Sequence, residues 1–199
     1  MSTLRALPMS LLLTAAPLVA QSAPASQQGL GGPAVPGVCL LSREAIFANA
    51  KAGKAATARL QQLAEQAQAE VDTLRKPVET EVQALQAEAA KLSPEQRRTR
   101  EQALAPRLKA VQDKTQHSIR EIDATRAKAM ARIAAALQPV IAKVYTAKNC
   151  GLLIDRNTVL GGNLNNDLTA AAVAALDGTM DTISFDREVL PAQNPAPAR

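Results

Sequence analysis

The chain has 199 residues, of which 47% are hydrophobic and 21% charged, with a formal net charge of +5. Two Phe, one Tyr and no Trp exclude a core built on large aromatic rings. With a surplus of Ala, Gln, Leu, Glu, Lys and Arg, they also exclude an all-β sandwich or barrel and favour helix, the state in which straight side chains lose least freedom. One His and two Cys are too few for a zinc site of the usual His/Cys kind. The chain reads as non-enzymatic, with no catalytic residue, no cofactor and no metal.

Residues 1–23 read as a cleaved secretory signal. Arg5 supplies the positive start, Leu11 to Ala20 the short apolar run, and the small residues around Ala20 to Ala23 the cleavage sites. An N-terminal membrane anchor is the weaker reading, because Pro8 and Pro17 interrupt a stretch already short for a span. Residues 24–37 are Gly- and Pro-rich and read as a flexible lead-in to an exported protein.

The segment 38–42 and the segment 149–180 carry the strand-like runs. Val38 to Leu41 precedes a long helical region, and Leu152 to Ile154 and Thr158 to Leu160 follow it, with Asp155-Arg156-Asn157 as a turn between them. Asp167 is placed to cap a short helix over Leu168 to Leu176. These parts predict a small α/β head made by both ends of the chain. It is too small to stand alone, so homo-oligomerisation through Val38, Leu40, Leu152, Ile154 and Val159 is expected.

Between them, residues 43–148 predict an arm of two long antiparallel helices. Apolar positions recur every eleven residues: Leu60, Val71 and Val82; Leu63, Leu74 and Leu85; Ala67, Val78 and Ala89; then Leu108, Ile119, Met130 and Ile141, beside Val111, Ile122, Ile133 and Val144. A repeat of eleven keeps each row on one helix face with a slight right-handed drift. The tip falls near 91–94, where Ser93 followed by Pro94 and Gln96 has capping-box spacing. Pro77 and Pro106 lie at similar distances from that tip. They are either a paired bend that lets the arm flex or two tolerated prolines. The remainder, 181–199, contains Pro191, Pro195 and Pro197 and reads as a disordered tail.

Charge is concentrated on the arm, which has 19 basic and 12 acidic residues, while residues 149–199 have three basic and six acidic. The tip is the most lopsided part, with Lys91, Arg97, Arg98, Arg100, Arg107 and Lys109 as candidates for binding acidic clients or anionic surfaces, a membrane or lipopolysaccharide among them. A solvated charge run that keeps the tip soluble is the plainer reading. Nucleic acid is disfavoured by export and by the lack of aromatics for base stacking. Cys39 and Cys150 flank the arm. In an oxidising compartment they are either a disulfide or two buried thiols. His117 is isolated and reads as a surface residue without a role.

In order, the signal, Val38 to Leu41 leading into Ile46-Phe47, Ala52-Gly53-Lys54-Ala55-Ala56, the charged hairpin, Gly151-Leu152-Leu153-Ile154-Asp155 and Asp167-Leu168-Thr169 with Val173 and Leu176 resemble the Skp/OmpH family of periplasmic chaperones. The resemblance covers about 38–176. It implies a mainly α fold with a small β head (α+β), the helical hairpin inserted between head strands, in a trimeric, jellyfish-like assembly. It also implies an ATP-independent periplasmic holdase, whose arms enclose unfolded outer-membrane β-barrel proteins as clients. The alternative is a structural α-hairpin adaptor of the cell envelope that docks onto one partner.

Overall fold

The computed structural model describes residues 31–192; the expected signal, residues 24–30 of the lead-in and residues 193–199 of the tail lie outside the described residues. Strand β1 (Val38–Leu41) pairs in parallel with β2 (Leu152–Asp155), Val38 opposite Leu152 and Leu41 opposite Asp155. A parallel pair needs a crossover between its strands, and here the crossover is the whole arm. The fold is mainly helical with this small sheet at one end.

Leu40 is bonded on its other side as well. Its N–H donates to the Asn166 carbonyl at 3.0 Å, and its carbonyl accepts from Leu168 N–H at 2.8 Å. The segment just before helix α4 (Thr169–Asp177) thus lies beside β1, forming an isolated bridge at Asp167. The strand expected at Thr158 to Leu160 does not form. Asp155 accepts from Asn157 N–H at 2.9 Å, and the Thr158 hydroxyl donates to the Asp155 carbonyl at 2.8 Å. These bonds wind Arg156–Thr158 into a single 3₁₀ turn, and Leu160 projects into solvent.

The helical region opens with a break the sequence does not announce. Helix α1 (Arg43–Asn49) is capped by Ser42, whose hydroxyl accepts from Ala45 N–H at 3.1 Å. Ala50 is then extended, with ψ 147°, before α2 (Lys51–Glu88) begins. The break lets α1 fold back on α2, and Gly53 makes the contact feasible. A Cβ there would lie 1.8 Å from the Phe47 carbonyl oxygen. Ile46, Ala50, Ala52 and Ala56 from this corner pack with Ile133, Leu137 and Val140 of α3 (Pro94–Ala147) and with Ala172 and Leu176 of α4. Small residues on one side and branched ones on the other give a dense core without large rings.

Helices α2 and α3, of 38 and 54 residues, form the arm. At 1.5 Å per residue α3 spans about 80 Å. At the tip, Ala89–Lys91 is a 3₁₀ turn, and Ser93 and Gln96 form the reciprocal capping box, at 3.2 and 3.0 Å. Pro77, Pro106 and Pro139 all lie within continuous helix. The ion pairs Glu70–Lys114 and Glu81–Arg107 join the two helices and set Pro77 and Pro106 at nearly the same height. Burial along the arm is uneven: Leu60, Leu63, Val71 and, nearer the tip, Val78 and Leu104 are covered, whereas Leu74, Leu108 and Ile119 are exposed.

The expectation of a disordered tail from residue 181 is corrected for residues 181–192. Ile183 is buried in the core, and the chain beyond it runs extended along the base of the arm, held by both helices. Prolines remove donors but do not prevent docking when a neighbouring surface supplies partners for the remaining main-chain groups.

Candidate functional site

Three surfaces bear on function: the head edge, the arm tip and the seat of the C-terminal strap. In the head, Cys39 and Cys150 form a disulfide with Cα atoms 5.8 Å apart, joining positions 111 residues apart in sequence. Leu40 is buried within the head, Val38, Ile154 and Val159 are partly covered, and Leu152 is 52% exposed. Among the described residues the outer edge of β2 has no strand beside it. Asp167 ties the head together: expected as the cap of the short helix, it lies one position before the observed N-cap, Leu168, accepts from Thr169 N–H at 2.8 Å and pairs with Arg156 at 2.8 Å. Burial works to raise its pKa, but the Thr169 hydroxyl and N–H, with Arg156, outweigh it and hold the carboxyl below its ordinary value.

At the tip, four of the six candidate cations are ion-paired. Arg97 meets Glu101 at 3.8 Å, Arg100 meets Glu88 at 2.5 Å, Lys109 meets Asp113 at 2.6 Å, and Arg107 meets Glu81 across the hairpin. Lys91 and Arg98 form no ion pair among the described residues. All six are exposed, so the pairs are weak and exchangeable. Exposed apolar side chains lie among and below these cations: Leu108, between Arg107 and Lys109, is 50% exposed, and Leu74 and Ile119 are 45 and 56% exposed.

The third surface was not anticipated. Around the arm base, Arg59 of α2 and Arg132 of α3 donate to consecutive carbonyls of the strap, Phe185 at 3.0 Å and Ser184 at 2.9 Å. Farther along, Thr125 Oγ1 accepts from Glu188 N–H at 2.9 Å, and Glu121 Oε1 accepts from Leu190 N–H at 3.2 Å. Arg187 inserts between Glu70 and Glu121, at 2.8 and 3.4 Å. The Glu121 side chain is only 5% exposed and also meets His117 Nε2 at 3.0 Å, so His117 is not the idle surface residue its isolation suggested. Hydrogen bonds from Lys114 and then Arg187 hold the Glu70 carboxyl below its ordinary pKa. One signal was readable: Ser118, Glu121 and Thr125 form a polar stripe at helical spacing beside the apolar rows, and all three are buried.

Among the described residues, no helix is long and apolar enough to cross a membrane. The family described as "Outer membrane protein (OmpH-like)" matches residues 37–176. A solved structure of a candidate outer membrane chaperone (OmpH-like) from Caulobacter crescentus CB15 is 37% identical, with a TM-score of 0.70, over 83% of this chain and 98% of that one. No curated protein matches. The head strands, the hairpin and all of α4 except Asp177 fall within the matched span, whereas the strap lies beyond it. With a family match over most of its length and a solved relative at this identity, the chain belongs to the OmpH-like family, which supports a chaperone role.

Proposed function

We propose that the protein is an ATP-independent periplasmic holdase that keeps unfolded outer-membrane β-barrel proteins soluble, acting as a homotrimer assembled through the heads. The observation that carries the reading is the incomplete covering of the arm: one hairpin leaves Leu74, Leu108 and Ile119 half exposed on an otherwise charged surface. Such positions offer many shallow apolar contacts in place of one deep pocket. A holdase needs contacts that are individually weak and collectively retained, and several arms on one head supply this through effective concentration. The open edge of β2, with Leu152 and Leu160 exposed, supports assembly through the heads. The basic arm favours acidic clients and anionic surfaces, membrane or lipopolysaccharide, by steering encounter. The expected signal at 1–23 supports export.

The test is dilution of a urea-unfolded outer-membrane β-barrel protein into buffer with and without the mature protein, followed by light scattering without nucleotide. Suppression near one trimer per client is expected. Full aggregation beside a folded, oligomeric protein would defeat the assignment.

A further inference from the structure

We infer that the strap seat on the arm base is a binding site for an extended polypeptide segment of alternating side-chain pattern, which residues 184–190 of the chain itself occupy in cis. For its ligand class this rests on the chaperone reading; the site itself rests on the geometry of the strap.

Four side chains from two helices grip four main-chain groups. Arg59 and Arg132 hold the carbonyls of Phe185 and Ser184, and Thr125 and Glu121 hold the N–H groups of Glu188 and Leu190. Each of these groups is present in any non-proline residue, so this part of the grip is indifferent to sequence. It does with side chains what a neighbouring strand does in a sheet.

Over residues 183–187 the strap also has strand periodicity, which the partly buried Glu188 interrupts. Ile183, Phe185 and Arg187 turn inward, while Ser184 and Asp186 between them are exposed. Barrel strands of outer-membrane proteins alternate in the same way. The seat is therefore matched in both main chain and side-chain period to a segment of an unfolded barrel protein. Thr125 and Glu121 are buried, and a merely structural helix face would carry apolar residues there. One turn farther toward the tip, the buried Ser118 hydroxyl has no hydrogen-bond partner. It borders a separate hollow between the two helices, beside Ala67 and Val71 of α2.

What selects the chain's own segment is charge. Arg187 sits between Glu70 and Glu121, Asp186 meets Arg59 at 3.2 Å, and Glu188 meets Lys128 at 2.7 Å. The two outer pairs are largely exposed and contribute little. The strap is thus held firmly enough to occupy the seat and loosely enough to be exchanged.

The experiment uses the full chain. Arg187→Glu reverses the central pair, and Glu188→Pro removes the N–H that Thr125 accepts; hydrogen exchange at the Leu190 amide reports release of the strap in either variant. With the strap released, a fluorescent peptide of residues 184–192 should bind the variant at least three-fold more tightly than the unaltered chain. An alternating peptide from an outer-membrane β-strand should displace it. A released strap with no peptide binding, or binding of the chain's own peptide that no barrel-strand peptide displaces, would overturn the inference and leave the strap as a brace. Light scattering with the unaltered protein separately reports on the holdase reading, so the two can fail independently.

Discussion

The backbone of Gly53 lies against the Phe47 carbonyl so closely that an added methyl would come within 1.8 Å of its oxygen. This contact fixes the corner at Ala50 where the head becomes the arm. Gly53→Ala must push α1 off α2 and open the Ile46 core. A loss of about 1–3 kcal/mol is expected, as for other overpacked cores. Urea denaturation measures it, and an unchanged midpoint would show that the corner can shift freely.

Cys39 and Cys150 close a loop of about the length for which the chain-entropy relation gives 4–5 kcal/mol, roughly, of stabilisation. Reduction, or the double Cys→Ser variant, should lower the denaturation midpoint accordingly. Addition of reductant to the double variant should then do nothing.

Acid should loosen the arm base. Glu70 has its pKa lowered in the folded protein, first by Lys114 and then by Arg187. Its contribution is therefore complete above its ordinary unfolded value and is lost as pH falls through the lower folded value. Glu70→Gln should flatten the stability profile in that acid window and leave slopes at neutral pH unchanged. The effect will be modest, since the Glu70 side chain is 41% exposed.

Ser93→Ala removes one half of the capping box at the tip and should cost about 1 kcal/mol locally. Faster hydrogen exchange over residues 94–97, without comparable change at the arm base, is the expected readout.

Arg97, Arg98 and Arg100, replaced together by Glu, should weaken client binding at low salt while leaving the oligomer intact. The substitution also places like charge opposite Glu88, now paired with Arg100. Equal client affinity for variant and parent at low salt would remove the tip from the capture mechanism.

What the sequence made legible was periodic or local. The eleven-residue rows marked the hairpin, and Ser93, Pro94 and Gln96 marked its tip because a capping box needs only four consecutive positions. The break at Ala50 was invisible, because Ala is a strong helix former and only the packing of α1 on α2 overrides it. Thr158 to Leu160 has the composition of a strand, but Asp155 turns the chain first. The strap was hidden for a different reason. Arg187 reads as one of three neighbouring charges in a Pro-rich tail until Glu70 and Glu121, each more than sixty residues away, are brought beside it.

The parallel pairing of β1 with β2 also orders events in time. Contacts between the arm helices lengthen in sequence from the tip, Glu88 and Arg100 being 12 residues apart and Glu70 and Lys114 44, so α2 and α3 can zip from the tip as soon as both exist. The head has to wait: Val38 leaves first, yet Leu152, Leu168 and the thiol of Cys150 arrive only after the entire arm has emerged. A chain delivered from its N-terminus therefore displays a finished arm before it has a base to mount it on, and closing of the head marks its completion.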